Sequence, residues 1–311
     1  MNMGKPRISV IVITYNQENL IGRALDSVLC QSELVCEIIV SDDCSKDKTW
    51  EVIHNYKVQH PALIKPFRNE HNLGIFGNLE STWSKPTGDI IIYLAGDDII
   101  CYGLFEEINK LIIRENIDFT QGSFCLYTDT KSISTNGKER IQSNHIISKG
   151  FDAKSLKIRG LIGSSRGILF SRELFKRFKH VEKDLGICTD GIYDMQVQLF
   201  SDKNYYTKFI GAIYYSGIGI SSITPHIEGL KSLVLLYDEF YNTIDFTKKD
   251  KFYILYKKAS FSFFIEPSFK DFIKTWKYYF ISINIHYGIN IIPIGKLLLK
   301  MVIAAFKRII K

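Results

Sequence analysis

Two pairs of neighbouring carboxylates stand at the ends of apolar runs. Asp97 and Asp98 close Ile90-Ile91-Ile92-Tyr93-Leu94-Ala95-Gly96, and Asp42 and Asp43 close Glu37-Ile38-Ile39-Val40-Ser41. Ionised side by side, Asp97 and Asp98 repel, and a divalent cation is a common way to relieve that repulsion. Oxygen ligands of this kind suit Mg²⁺ or Mn²⁺, which typically also hold substrate phosphates. The competing reading is a strand-end turn, where Asp is frequent for its own hydrogen bonding.

The surrounding elements decide between the two. Gly88 punctuates the start of a β-branched, aromatic run that reads as a buried strand of a parallel sheet. Ile8 to Ile13 is a second such run and ends at Thr14-Tyr15-Asn16; Glu37 to Val40 is a third. Between the first two strands, Leu20, Ile21, Ala24, Leu25, Val28 and Leu29 recur at helical spacing, with Asn19 as the expected N-cap. After Asp43, Asp47 and Thr49 can cap a helix carrying Trp50, Val52, Ile53 and Tyr56. A loop, Arg68 to Gly74, then leads to a helix expected from about Phe76 to Trp83. A β-α-β-α order with short connections implies parallel strands and right-handed crossovers. Three strand ends then share one rim, where open α/β sheets gather their ligands. Independent structural turns would not need acids at two of the three.

These residues carry a resemblance. ISVIVITYN (8–16), EIIVSDDCSKDKT (37–49), NLG (72–74) and GDIIIYLAGDD (88–98) resemble the inverting family 2 glycosyltransferases of the GT-A fold. The first third of the chain matches closely, and the stretch to about Ser222 more loosely. The resemblance implies an α/β fold of the GT-A kind, a mostly parallel central sheet flanked by helices. It implies a nucleotide-sugar donor, with UDP as the expected nucleotide, bound over the strand ends. Thr14, Tyr15, Asn16 and Asn72 would then line the nucleotide pocket. Asp42 or Asp43 would bind the base or ribose, since a carboxylate suits a uracil N3–H and a ribose hydroxyl. The family's usual Asp-x-Asp falls on Ala95-Gly96-Asp97, so the first acid is missing. Asp97 becomes the metal and diphosphate residue, with Asp98 beside it as a second ligand. Cys188-Thr189-Asp190-Gly191 resembles the family's Glu-Asp-Gly motif, with Thr189 in place of the Glu. By that match Asp190 is the catalytic base, able to take the acceptor proton; otherwise it caps the next helix, and Asp194 is the rival base. Arg166 could meet a phosphate, or be an ordinary surface arginine.

Beyond Asp98 the expected elements are a helix from Leu104 to Ile113, a strand from Phe119 to Tyr127 and a polar loop from Thr130 to Ser148, turning at Asn136-Gly137. A short helix from Arg172 follows, and two short strands within Tyr205 to Ser216 close the catalytic domain, placed at residues 1–225. Helical, aromatic sequence follows in residues 226–311, over Leu230 to Tyr241 and Phe252 to Phe264. His226 is a candidate late metal ligand or a structural histidine.

Of 311 residues, 46% are hydrophobic and 23% charged, a globular composition. The formal net charge of +7 is uneven. Phe246 to Lys311 holds 13 Lys/Arg against 3 Asp/Glu, leaving 27 against 30 elsewhere. At about 100° per residue, Lys296, Lys300, Lys307 and Lys311 share one helical face, and aliphatic residues cover the rest. That pattern suits a helix lying in an anionic membrane surface, or a terminal helix packed on the body. Ile281 to Ile294 is interrupted by Asn284, His286, Gly288, Asn290 and Pro293, which argues against a spanning helix. None of the six cysteines forms a Cys-x-x-Cys pair, and Met1 to Arg7 is too short and polar to be a signal peptide.

The expectation is an inverting, metal-dependent glycosyltransferase acting on a saccharide or lipid-linked hydroxyl at the cytoplasmic membrane face, as in capsule or O-antigen assembly. A binder that has lost turnover is the alternative, motivated by Ala95 and Thr189. A nucleotidyltransferase usually needs a Gly-rich loop after the first strand, and no glycine occurs from Thr14 until Gly22. Nucleic acid is not an expected partner, because the basic residues sit among aliphatics.

Overall fold

The structure, a computed structural model, describes residues 4–149, 167–180, 190–218 and 226–282. The described residues fall in two compact units, 4–218 and 226–282. The first unit is built on β1 (Ile8–Thr14), β2 (Val35–Asp42), β3 (Ile64–Arg68) and β4 (Ile90–Ala95), which run parallel in the order β3-β2-β1-β4. Ile8, Val10, Ile11, Val12, Ile38, Ile39, Val40, Ile90 and Ile91 are all fully buried. Burial on both faces is why these strands read as continuous apolar runs rather than alternating ones.

Helices α1 (Ile21–Leu29) and α2 (Thr49–Gln59) make the crossovers. α1 buries Ile21, Ala24, Leu25 and Val28 against the sheet, and the Ile, Leu and Val side chains each contribute about 1.5–3 kcal/mol when fully buried. The chain steps outward from β1 to β2 to β3, then returns through α3 (Gly74–Glu80) to β4 on the far side of β1. Strand order therefore reverses between β1 and β4, which opens a crevice above their carboxyl ends.

Beyond β4 the sheet becomes mixed. β5 (Ile99–Ile100), α4 (Leu104–Arg114), β6 (Phe124–Ser134), β7 (Glu139–Gln142), β8 (Ile168–Ser171), α5 (Arg172–Phe175), α6 (Asp190–Phe200) and β9 (Lys203–Ser216) follow in the chain. β8 pairs antiparallel with both β4 and β6, and β9 runs parallel to β6 and antiparallel to β5. This is the α/β, GT-A-like arrangement expected from the motifs.

Several local expectations are corrected. Asn19 is exposed and caps nothing: α1 starts at Ile21, preceded by Leu20 with no side-chain cap. The third helix spans Gly74–Glu80 rather than Phe76 to Trp83. β3 was not expected, because Lys65, Pro66 and Arg68 break its apolar pattern; it is the edge strand, half open to solvent. The strand placed at Phe119 to Tyr127 lies at Phe124–Ser134, so part of the expected polar loop is a strand, hairpinned to β7. Its turn does fall at Asn136-Gly137, with Gly137 at φ 76°. The two short strands within Tyr205 to Ser216 are one 14-residue strand, whose pairing with β6 is offset near Asp129.

The second unit is three helices, α7 (His226–Thr243), α8 (Lys248–Ile265) and α9 (Phe269–Ser282). Thr247 caps α8 by accepting from Asp250 N (3.2 Å). Ring contacts fasten the helices, Tyr237 to Phe261 at 5.7 Å and Phe263 to Phe272 at 6.2 Å. The basic segment at 296–311 lies outside the described residues.

Candidate active site at the strand ends

The loops that leave β1 and β2 are stitched together. Asn16 N donates to Ser45 Oγ (2.9 Å), and Lys46 N donates back to Asn16 Oδ1 (2.7 Å). Gln17 N donates to Thr49 Oγ1 (2.7 Å), Glu18 N to Asp47 Oδ2 (3.1 Å), and Lys48 N to Glu18 Oε2 (2.8 Å). Each loop thus satisfies orphan backbone N–H groups of the other. Asp47 also accepts from Thr49 N (2.9 Å), so it does secure the start of α2. Asn16 and Cys44 both sit in the left-handed region, at φ 50° and 59°. Asn tolerates that region and Cys does so at a cost, so the loops hold a shape that free chains avoid.

The carboxylates differ sharply in their surroundings. Asp42 is fully buried, accepts from Ser45 N and Oγ, and pairs with Arg68 Nε at 3.1 Å. Burial lifts its carboxyl above the ordinary range, against the pull of Ser45 and Arg68. Asp43 is 2% exposed and accepts from Asn69 Nδ2 and Leu73 N, both at 2.8 Å. Asp43 therefore ties the β2 end to the loop that carries Asn72, while Asp42 serves the loop beneath it. Asn72 is exposed, and its Oδ1 accepts from Gly74 N (3.0 Å) at the start of α3. Tyr15 is 40% exposed at the same rim, whereas Thr14 is buried and donates to Gln17 Oε1 (2.7 Å).

Across the crevice, Gly96 follows β4 and donates its N–H to Ile13 O (2.9 Å). A Cβ at Gly96 would lie 2.9 Å from Thr14 Oγ1 and 2.4 Å from Gln17 Oε1. A side chain here would have to push Gln17 aside and crowd Thr14, so glycine suits this close approach of the β4 turn to β1. Asp97 is half-buried at the mouth, and Arg23 Nη2 donates to its carbonyl (2.8 Å). Asp98 is 1% exposed, with Oδ1 accepting from Tyr215 N at 3.4 Å. Among the described residues no three His, Cys, Asp or Glu side chains cluster as metal ligands. A half-buried carboxylate such as Asp97 fits Mg²⁺ or Mn²⁺, ions that one or two carboxylates can hold together with substrate phosphates and water. His226 is exposed at the start of α7, in the second unit.

Asp190 is the first residue of α6, and its side chain lies outside the described residues, as do Arg166, Cys188 and Thr189. The rival, Asp194, is 7% exposed within a helix whose neighbouring residues are also buried. α6 is held in place by Gln196, whose amide accepts from Lys179 N (2.6 Å) and donates to Lys179 O (2.8 Å).

Three residues of the rim were not singled out from sequence. Asn78 is buried in α3, accepts from Ser41 Oγ (2.6 Å) and Asn69 Nδ2 (3.1 Å), and donates to Ser41 O (3.1 Å). Arg68 donates to Ser45 O (2.8 Å) besides pairing with Asp42. Arg23 is the third. A polar Asn amid the helical apolar residues Ile75, Phe76 and Leu79 was the available signal for Asn78. A surface hollow lined by Lys5, Cys30, Gln31, Tyr102 and Glu106 lies at the other end of α1 and includes none of the rim residues.

The sequence matches the family described as glycosyl transferase family 2 over residues 9–178, more than half of the chain. The chain belongs to that family. A Campylobacter jejuni protein named GalNAc(5)-diNAcBac-PP-undecaprenol beta-1,3-glucosyltransferase is 27% identical over 216 residues, 67% of this chain and 64% of that one. Other curated relatives match shorter stretches, down to 92 residues, and the chain spans as little as 27% of their length. Among solved structures, Staphylococcus aureus TarS residues 1–349 in complex with UDP-GlcNAc has a TM-score of 0.61 at 18% identity, covering 88% of this chain and 79% of that one. The mannosyltransferase PcManGT of Pyrobaculum calidifontis, in complex with GDP-Man and Mn²⁺, has a TM-score of 0.56 at 17% identity, covering 97% and 81%. At these identities the structures establish the shared fold.

Proposed function

We propose that this family 2 member is an inverting glycosyltransferase that moves a sugar from a nucleoside diphosphate donor, with UDP the expected nucleotide, to a hydroxyl of a saccharide or lipid-linked acceptor. The observation that carries the reading is the glycine-tight crevice between β1 and β4, with Asp97 at its mouth and stitched loops along its side. Tyr15, Asn16, Asn72 and the Asp43 loop line the nucleoside end. Their geometry is set before a ligand arrives, so little ordering is left for binding to supply. Asp42 acts from below by fixing Ser45 and Arg68.

The acceptor oxygen attacks the anomeric carbon, the bond from that carbon to the diphosphate oxygen breaks, and the diphosphate leaves with the electron pair. Asp190 takes the acceptor proton. Asp97 would hold Mg²⁺ or Mn²⁺, which when bound offsets charge on the departing diphosphate. Holding both substrates on one rim contributes much of the remaining acceleration. The undecaprenol-linked substrate in the Campylobacter relative's name supports a lipid-linked acceptor, and so a capsule or O-antigen type of pathway. The basic excess after Phe246 supports peripheral binding to the anionic inner face of the membrane. Among the described residues no helix is long and apolar enough to cross one.

Calorimetry with UDP, GDP, dTDP and CMP, with and without Mn²⁺, tests the donor site, and turnover by Asp97→Ala and Asp190→Ala tests the chemistry. Metal-dependent binding of one nucleotide, with turnover lost in both folded variants, is the expected result; wild-type turnover in both sinks the reading. A binder without turnover is the second reading, favoured by Ala95 and by the burial of Asp98. It predicts the same binding and no metal-dependent donor hydrolysis.

A further inference from the structure

The two-residue turn that carries Asp97 is gripped from both sides. From α1, Arg23 Nη2 donates to the Asp97 carbonyl at 2.8 Å. From β9, Tyr215 N donates to Asp98 Oδ1 at 3.4 Å. The two grips are joined, because the Arg23 guanidinium lies over the Tyr215 ring with its carbon 4.1 Å from the centroid. Residues distant in sequence on three elements thus close one circuit around Asp97-Asp98.

The circuit is an unexpected choice if stability alone is served. Arg23 Nε is buried without an acceptor among the described residues. Burying a donor without a partner is unfavourable, and a methionine would fill the same space without that cost. What a guanidinium adds is a charge-assisted bond to the carbonyl and a flat face for the ring. Both act on the position of the Asp97 backbone, and so on the reach of its side chain.

We propose that Arg23, seated on Tyr215, is a positioning residue that holds the Asp97-Asp98 turn in the geometry needed to bind a cation-bridged nucleoside diphosphate. The inference rests on the reading of Asp97 given above. It makes metal-linked donor affinity, rather than nucleoside recognition, the property that Arg23 controls. The nucleoside end is secured by a separate set of bonds between the β1 and β2 loops, and none of them involves Arg23 or Tyr215.

The test is calorimetric. UDP, GDP and dTDP are titrated into the full chain with and without Mn²⁺, and the tightest binder is then compared across Arg23→Met, Arg23→Lys, Tyr215→Leu and Asp97→Asn. Losing one charge-assisted bond corresponds to roughly a tenfold change. Arg23→Met is expected to weaken Mn²⁺-dependent binding about tenfold while metal-free binding stays within about twofold. Tyr215→Leu should move the same quantity in the same direction, the double variant should fall short of additivity, and Arg23→Lys should recover part of the loss. Should Arg23→Met fail to fold, Arg23→Lys and Tyr215→Leu carry the comparison. Unchanged Mn²⁺-dependent affinity in the folded variants overturns the inference. So does an equal loss with and without metal, which marks general damage. If Asp97→Asn keeps the full Mn²⁺ increment, or the wild type binds no diphosphate, then Asp97 itself has been misread and the inference falls with it.

Discussion

The rings of Phe76 and Tyr193 stack with centroids 4.3 Å apart and planes 27° apart. This contact joins α3, whose Asn78 clasps the β2 end, to α6, which begins at Asp190. Tyr193 also meets Trp83 edge-on at 5.0 Å, and its hydroxyl donates to Glu80, which His180 Nδ1 approaches at 2.7 Å. Phe170, Phe175 and Phe178 extend the cluster under the start of β4. The strand-end rim and the helix that starts at Asp190 are therefore set by one aromatic core.

Tyr193→Ala should cost about 3–4 kcal/mol of stability, since it removes a buried ring from that core. Tyr193→Phe keeps the ring contacts with Phe76, Trp83 and Phe178 and loses the hydroxyl's bond to Glu80, about 1 kcal/mol. Urea denaturation measures both. Turnover of the Phe variant should stay within about threefold of wild type, while the Ala variant, measured where it is still folded, should lose about tenfold or more through displacement of Asp190.

Gly96→Ala should be folded and catalytically poor. The added carbon displaces Gln17 Oε1, the end of a flexible side chain, and crowds Thr14 Oγ1, breaking the bond between them. Overpacking of this size costs about 1–3 kcal/mol. The damage is confined to the crevice, so donor affinity should fall about tenfold or more, read by calorimetry, with a small drop in melting temperature. Wild-type affinity in this variant would remove the crevice from the donor site.

What the sequence discloses of this fold follows burial. β1, β2 and β4 are buried on both faces, so each is an uninterrupted apolar run with a readable end, and those ends locate the rim. β3 is an edge strand carrying Lys65, Pro66 and Arg68, and nothing local marks it as a strand. The second half of β6, Thr128-Asp129-Thr130-Lys131-Ser132, reads as loop because it is polar, and its ladder bonds come from the β7 hairpin and from β9, the latter far off in sequence. At the site, the carboxylates were visible as types but not as environments. Adjacent in sequence, Asp97 and Asp98 look equivalent; one is half-buried at the mouth and the other is enclosed against β9. Arg23 was invisible for the same reason, since its partners are a carbonyl and a ring 74 and 192 positions away.

Cys44 provides a test of how much strain the β2 loop holds. At φ 59° a non-glycine residue carries about 1–2 kcal/mol of unfavourable backbone energy. Cys44→Gly removes that cost but loosens the unfolded chain by about 0.4–1 kcal/mol, so its net effect should lie between neutral and a stabilisation of about 1.6 kcal/mol. Cys44→Val places a β-branched residue in the same region and should destabilise by about 2 kcal/mol. A Val variant as stable as the Gly variant, by chemical denaturation, would show that the loop relaxes to an ordinary conformation.

Glu37 makes the acid limb of stability predictable. It lies fully buried on β2, remote from the rim, and accepts from Ser9 Oγ and Thr87 N (both 2.6 Å), from Thr87 Oγ1 (2.9 Å) and from Lys65 Nζ. Burial pushes its carboxyl up, but Lys65, Ser9 and Thr87 together outweigh that and hold it below the ordinary glutamate range. A carboxyl depressed in the folded state contributes stability that is complete above its unfolded pKa and is lost as pH falls through the folded one. Wild-type stability should therefore decline from the ordinary glutamate range downward. Glu37→Gln replaces an acceptor with an amide that faces donors, so it should cost about 3 kcal/mol at neutral pH. Its deficit should shrink as the pH is lowered, because the wild type loses there what the variant never had. Denaturation midpoints of the two proteins across that range measure the convergence, and parallel curves would mean that Glu37 carries no charge in the folded protein.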